Sequence, residues 1–212
     1  GVLKPDVGII KIEDIDLNLL SSSQRAKMVS VVPQKPQLPL SFKVIDLVSM
    51  GRNPYLGIFE WESDRDIQII MRAMNLTDTT HLSQRLVGTL SGGEVQRVLV
   101  AMALVQETDV ILMDEPTASL DLAYQTGIMD LVKEVKKQSG GVVLVAMHDL
   151  TLAAQYCDRL LMMFDGSVYF SGSAEDVLTS DNIFHVYGAE VHIMLHPRTG
   201  KPVVLPMRRL NT

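Results

Sequence analysis

Two short apolar runs, Val110-Ile111-Leu112-Met113 and Val142-Val143-Leu144-Val145-Ala146-Met147, constrain the fold of this 212-residue chain more than any other feature. Both are apolar throughout rather than alternating. As strands they need cover on both faces, which is the habit of parallel sheets in α/β folds. Helical patterns surround them. Val95 to Gln106 precedes the first run, and a segment with Ile128, Leu131, Val132 and Val135 on one face separates the two, ended by Gly140-Gly141. The expected fold class is α/β, a mostly parallel sheet flanked by helices.

The remaining pattern adds detail to that frame. Gly8 to Ile12 and Lys27 to Val32 read as short strands, the second stopped by Pro33, and Pro36 and Pro39 make the connector after it Pro-dense. Val44 to Met50 is a helical segment closed by Gly51. Ser63 stands three residues before Asp66 as a helix N-cap, and Ile67, Ile70, Met71 and Met74 follow at helical spacing. With little β signal up to residue 90, residues 35–90 are expected to form a helical insertion in an α/β core built from 1–34 and 91–212. A helix over Leu150 to Cys157 and a strand over Leu160 to Phe164 continue the alternation. Asp165-Gly166 then signals a hairpin into Val168-Tyr169-Phe170. Short helices near Ala174 to Leu178 and Asn182 to Tyr187 lead to a second hairpin through Thr199-Gly200.

Composition excludes several classes of protein. With 19 Lys and Arg against 25 Asp and Glu, the formal charge is −6, and the basic stripe of a nucleic-acid binder is not expected. A single cysteine, Cys157, rules out an internal disulfide framework and fits a reducing compartment. The longest apolar run, Val98 to Val105, is far shorter than the roughly 20 residues of a membrane span. The first residues show neither an initiator Met nor a signal-peptide pattern.

Ligands of parallel α/β sheets bind at the carboxyl ends of the strands. The first apolar run ends in Asp114-Glu115-Pro116 and the second in His148-Asp149. An acid at such an end holds Mg²⁺ through its oxygens, and a neighbouring acid polarises water; a solvated acidic pair explains the same residues. His148 is equally well a hydrogen-bonded rim residue. Ser91-Gly92-Gly93-Glu94 opens a helix, and a capping box accounts for Ser91 and Glu94. It does not account for two glycines in a first turn, where they cost stability. Bare N–H groups there suit a phosphate.

Ser91-Gly92-Gly93-Glu94, Gln96-Arg97, Asp114-Glu115-Pro116-Thr117, Ser119-Leu120-Asp121 and His148 resemble an ABC-transporter ATPase subunit in order and spacing, and Val31-Val32-Pro33-Gln34 resembles that family's glutamine loop. Within the family, Met50-Gly51-Arg52-Asn53-Pro54-Tyr55-Leu56-Gly57 and His196-Pro197-Arg198-Thr199-Gly200-Lys201-Pro202 resemble subunits that import iron–siderophore, haem or vitamin B12. Molybdate importers share parts of these segments. The resemblance implies a P-loop NTPase-like fold, ATP and Mg²⁺ as substrate and metal, and hydrolysis driven by positioning and charge neutralisation. It implies that Asp114 and Gln34 serve Mg²⁺, and that Glu115 orients or activates the attacking water. Gln34 senses the γ-phosphate and His148 contacts it. Ser91, Gly92, Gly93 and Glu94, with Asp121 at the dimer contact, meet ATP held by an opposite subunit. Partners are then a second copy, a membrane permease at the cytoplasmic face and, indirectly, an extracytoplasmic binding protein, with no nucleic acid.

The sequence departs from that family in one respect: it contains no G-x-x-x-x-G-K-[ST] phosphate loop. In the family this loop precedes a segment like Gly1 to Gly8, so the chain is expected to start just after the phosphate-loop helix and to bind ATP very weakly alone. The alternatives are a non-catalytic scaffold and a DNA-repair-type ATPase. The short interval between Gln34 and Ser91, without sustained heptads, and the acidic charge weigh against the latter. Lesser features have bland explanations. His192 and His196 lie about 13 Å apart along a strand, too far to share a metal. Cys157 is expected as a small buried residue, and the methionines as core filler. Trp61, beside Phe59, is either exposed on the helical segment or part of a minor core.

Overall fold

The computed structural model describes residues 3–57, 60–118 and 120–207; Gly1, Val2, Phe59 and Ser119 lie outside the described residues. The chain divides into two compact units, residues 1–146 and 147–212.

The first unit opens with an antiparallel pair, β1 (Lys11–Ile12) and β2 (Ile15–Asp16), joined by a turn in which Glu13 takes a left-handed φ of 51°. After α1 (Ser22–Ala26) the chain enters β3 (Val29–Val32), two residues later than the sequence pattern begins. Helices α2 (Val44–Ser49) and α3 (Asp64–Leu76) flank a 3-10 helix, Met50–Tyr55. Then follow α4 (Gly92–Val105), β4 (Val110–Asp114), α5 (Leu122–Ser139) and β5 (Val142–Ala146). The capping boxes expected at Ser63–Asp66 and Ser91–Glu94 both form, and Gly140 ends α5 at φ +67°.

Strands β3, β4 and β5 make one parallel sheet with β4 in the middle; Val32 stands opposite Met113, and Asp114 opposite Ala146. One face of it, Val32, Ile111, Met113, Val143 and Val145, packs under α4 and α5 through Leu99, Val100, Ala103, Ile128, Leu131, Val132 and Val135. The opposite flank of α4, with Val98, Ala101 and Val105, serves a second core built by Val44, Leu47, Val48, Ile70 and Met74 of α2 and α3. A helix that serves two cores is apolar around most of its circumference, which is why Val98 to Val105 is so long an apolar run. The second sheet face differs from the expectation of cover on both sides. Val31, Val142 and Leu144 are 54–62 % exposed, so the described residues leave a row of branched side chains open to water.

The second unit holds α6 (Leu150–Tyr156), the antiparallel pair β6 (Leu160–Phe164) and β7 (Ser167–Gly172), α7 (Ala174–Val177), α8 (Ser180–Tyr187), and the antiparallel pair β8 (Val191–Leu195) and β9 (Pro202–Pro206). Ala154, Met162, Ala174, Val177, Leu178, Ile183 and Val191 form its core. The run Leu160 to Phe164 pairs antiparallel with β7, the hairpin that Asp165-Gly166 signals in the sequence. Asp165 and Gly166 both take positive φ, 47° and 72°, the type I′ geometry that turns a chain back on itself.

Candidate functional site

Because β3 and β4 run parallel in register, their carboxyl ends emerge at one edge of the sheet. Pro33 ends the first ladder and cannot donate to it, so Gln34 is free of the sheet, and Asp114 is exposed at the end of the second. Glu115 then turns the chain: its φ is +45°, its N–H donates to Ala146 O at 2.9 Å, and its carbonyl accepts from Ala118 N at 3.0 Å. This left-handed backbone, costly for a side-chain-bearing residue, accompanies a direct contact: Gln34 Nε2 donates to Glu115 Oε2 at 2.5 Å across 81 positions of sequence. The structure thus brings Gln34, Asp114 and Glu115 together at the strand ends.

At the N-terminus of α4 the capping box is complete. Ser91 N donates to Glu94 Oε2 at 2.7 Å, and Glu94 N donates to Ser91 Oγ at 3.4 Å. Arg85 Nη1 donates to Glu94 Oε1 at 3.1 Å. The Ser91 backbone N–H, assisted by the serine hydroxyl and Arg85, holds the Glu94 carboxyl below the ordinary carboxylate range. The two glycines have different reasons. A Cβ at Gly93 would lie 2.4 Å from Cδ1 of Tyr124, so the ring of α5 requires its absence. A Cβ at Gly92 would meet only Leu120 Cδ2, at 3.8 Å, so space rather than crowding surrounds that N–H. Tyr124 in turn has its N–H bound by Asp121 Oδ1 at 3.1 Å, the N-cap of α5. Ser91, Gly92, Gly93, Glu94 and Asp121 therefore form one cluster where α4 and α5 begin. One turn into α4, Gln96 is buried and its Nε2 has no acceptor among the described residues.

His148 lies in the second unit, exposed, two residues beyond the end of β5. Its neighbour Asp149 is the N-cap of α6, accepting from Leu152 N at 2.8 Å. No group of three or more His, Cys, Asp or Glu able to hold a metal occurs among the described residues. Mg²⁺ does not require one, since it keeps several waters and takes one or two carboxylates. The all-oxygen donors of Asp114 and the amide of Gln34 fit such a hard cation. His196 Nδ1 accepts from Thr199 N at 3.2 Å within the turn between β8 and β9. Cys157 is half-buried rather than buried, and desolvation raises its thiol pKa. Trp61 is 88 % exposed, which settles its place outside the core. The burial of Arg52 has no local signal in the sequence, since its acidic partners Asp66 and Glu107 lie 14 and 55 positions away.

The chain belongs to the ABC transporter family, whose model matches residues 1–118. It is 38 % identical over 207 residues to the cobalamin import ATP-binding protein of Halobacterium salinarum, covering 98 % of this chain and 52 % of that protein. It is 37 % identical over 208 residues to the hemin import ATP-binding protein of Thermobifida fusca, covering 98 % of this chain and 72 % of that protein. Among solved structures, an inward-facing transporter described as metal-chelate type superimposes with a TM-score of 0.78 at 28 % identity, covering 86 % of this chain and 74 % of that one. The chain spans about half the length of the Halobacterium relative.

Proposed function

We propose that the protein is the ATP-hydrolysing subunit of a transporter that imports a metal chelate such as cobalamin, haem or an iron–siderophore. The observation that carries this reading is the hydrogen bond from Gln34 to Glu115 at the common edge of β3 and β4. It joins the residue expected to sense nucleotide to the one expected to orient water. The relatives named for cobalamin and hemin import support the chelate class.

In this reading Asp114 and Gln34 would hold Mg²⁺, which when bound would supply charge neutralisation of phosphate oxygens. Glu115 accepts from and aligns the attacking water, His148 donates to the γ-phosphate, and the N–H of Gly92 faces phosphate at the head of α4. Catalysis of this type rests on positioning and electrostatics, not on a covalent intermediate. Ser91 to Glu94 and Asp121 act on ATP held by a second copy, giving a homodimer that docks on a membrane permease through residues 35–90, at the cytoplasmic face. A binding protein delivers the chelate to that permease. In vesicles carrying the complete transporter, Glu115→Gln is expected to abolish ATP-driven uptake; undiminished uptake would overturn the role of Glu115. The 212 residues hold no G-x-x-x-x-G-K-[ST] stretch, and on their own they are expected to bind Mg-ATP weakly. Calorimetry on this chain returning micromolar affinity would contradict that expectation.

A further inference from the structure

The segment Gly51-Arg52-Asn53-Pro54-Tyr55 takes no part in the chemistry above, yet it holds a buried cation. Arg52 is 4 % exposed, and its guanidinium is held through Nε and Nη1. Nε donates to Asp66 Oδ1 at 2.7 Å, at the start of α3, while Nη1 donates to Val105 O at 2.9 Å and to Glu107 Oε2 at 3.0 Å, at the end of α4. Its planar face lies 4.0 Å from the ring centre of Tyr55, a stacking that guanidinium favours. The Tyr55 hydroxyl donates to Gln106 O at 2.9 Å, and Lys27 Nζ stands 5.0 Å from the same ring. Close approach is enforced at Gly51, where a Cβ would fall 2.4 Å from Met102 O of α4. Ser23 Oγ adds a bond to Pro54 O at 3.2 Å.

The next link runs to the sheet. Gln106 donates through Nε2 to Ala26 O and, at 3.0 Å, to Val29 O, the first residue of β3. The other end of β3 is two residues from Gln34. One chain of contacts therefore joins α3, the 3-10 turn, the end of α4 and the start of the strand that delivers Gln34 to Glu115.

We infer that Arg52, with Tyr55, is a positioning clamp that fixes β3 against α4 and so sets where Gln34 meets Glu115. The inference rests on the proposed ATPase activity for its kinetic consequence but not for its structural one. The test uses the complete subunit with Arg52→Met combined with Asp66→Asn, which removes both buried charges together so that neither is stranded. Tyr55→Phe deletes only the hydroxyl and serves if the double variant does not fold. The double variant is expected to lose kcat roughly 10- to 100-fold, the scale of a small misplacement, with KM for Mg-ATP changed by less than about twofold. Amide exchange over residues 29–34 is expected to rise while that of α5 stays put; Tyr55→Phe moves both readouts the same way to a smaller extent. A folded variant with unchanged kcat and unchanged exchange overturns the inference, as does a uniform rise in exchange that includes α5. Should the unsubstituted subunit turn over no ATP, the ATPase reading fails by itself, and the exchange measurement still decides the clamp.

Discussion

Asp66 and Glu94 each close a capping box and each carboxyl is held low, Asp66 chiefly by the Ser63 hydroxyl and Glu94 chiefly by the Ser91 N–H. Both release their protons more readily in the folded chain than at their ordinary values of 3.8 and 4.5. The stability they contribute is therefore complete above those values and is lost as pH falls through the lower folded ones. Thermal melts taken through this acid window should show a steep fall in melting temperature, and Ser63→Ala should make the fall shallower while costing about 0.5–2 kcal/mol near neutrality. Arg52→Met alone leaves Asp66 buried without its cation and should cost about 3–5 kcal/mol in denaturant titrations. At this scale the sequence is uneven evidence. The Ser63–Asp66 and Ser91–Glu94 boxes are legible because both partners lie within one helical turn. The Gln34–Glu115 bond spans 81 positions, and the resemblance names both residues without showing that they touch.

Helix α4 shows how elements depend on close approach. Its Met102 carbonyl sits where a methyl at Gly51 would go, so Gly51→Ala must push the 3-10 turn away from α4. The expected cost is about 1–3 kcal/mol of overpacking, measured by chemical denaturation, with Gly92→Ala as a control whose Cβ meets only Leu120 at 3.8 Å. Element positions were legible to within a few residues because caps, prolines and turn glycines are local signals; Asp165-Gly166 even declared its hairpin. Pairing was less legible. The hairpin signal gives the partner of Leu160 to Phe164, but nothing in that short apolar run says that it stays out of the parallel sheet of β3, β4 and β5.

Over the whole molecule, the sheet bears on behaviour in solution. Val31, Val142 and Leu144 project from one face of it into water, and a row of this kind drives association. The 212-residue chain is expected to bind a hydrophobic dye and to self-associate in light scattering, and Leu144→Gln with Val142→Thr should reduce both; scattering that ignores these changes would show that the face takes no part. The left-handed turn at Glu115 sets a different limit. Glycine tolerates φ near +45° where a residue with a Cβ is strained, so Glu115→Gly should melt higher than Glu115→Ala, which loses the same bond from Gln34 but keeps the strain, by about 1 kcal/mol of stability. Among variants without that carboxylate the glycine form would then be the most durable, and in the proposed reading it performs no work. If Glu115 orients the attacking water as proposed, the strain at this turn accompanies turnover, and any thermostable version that keeps its activity must gain its robustness somewhere other than the tip of β4.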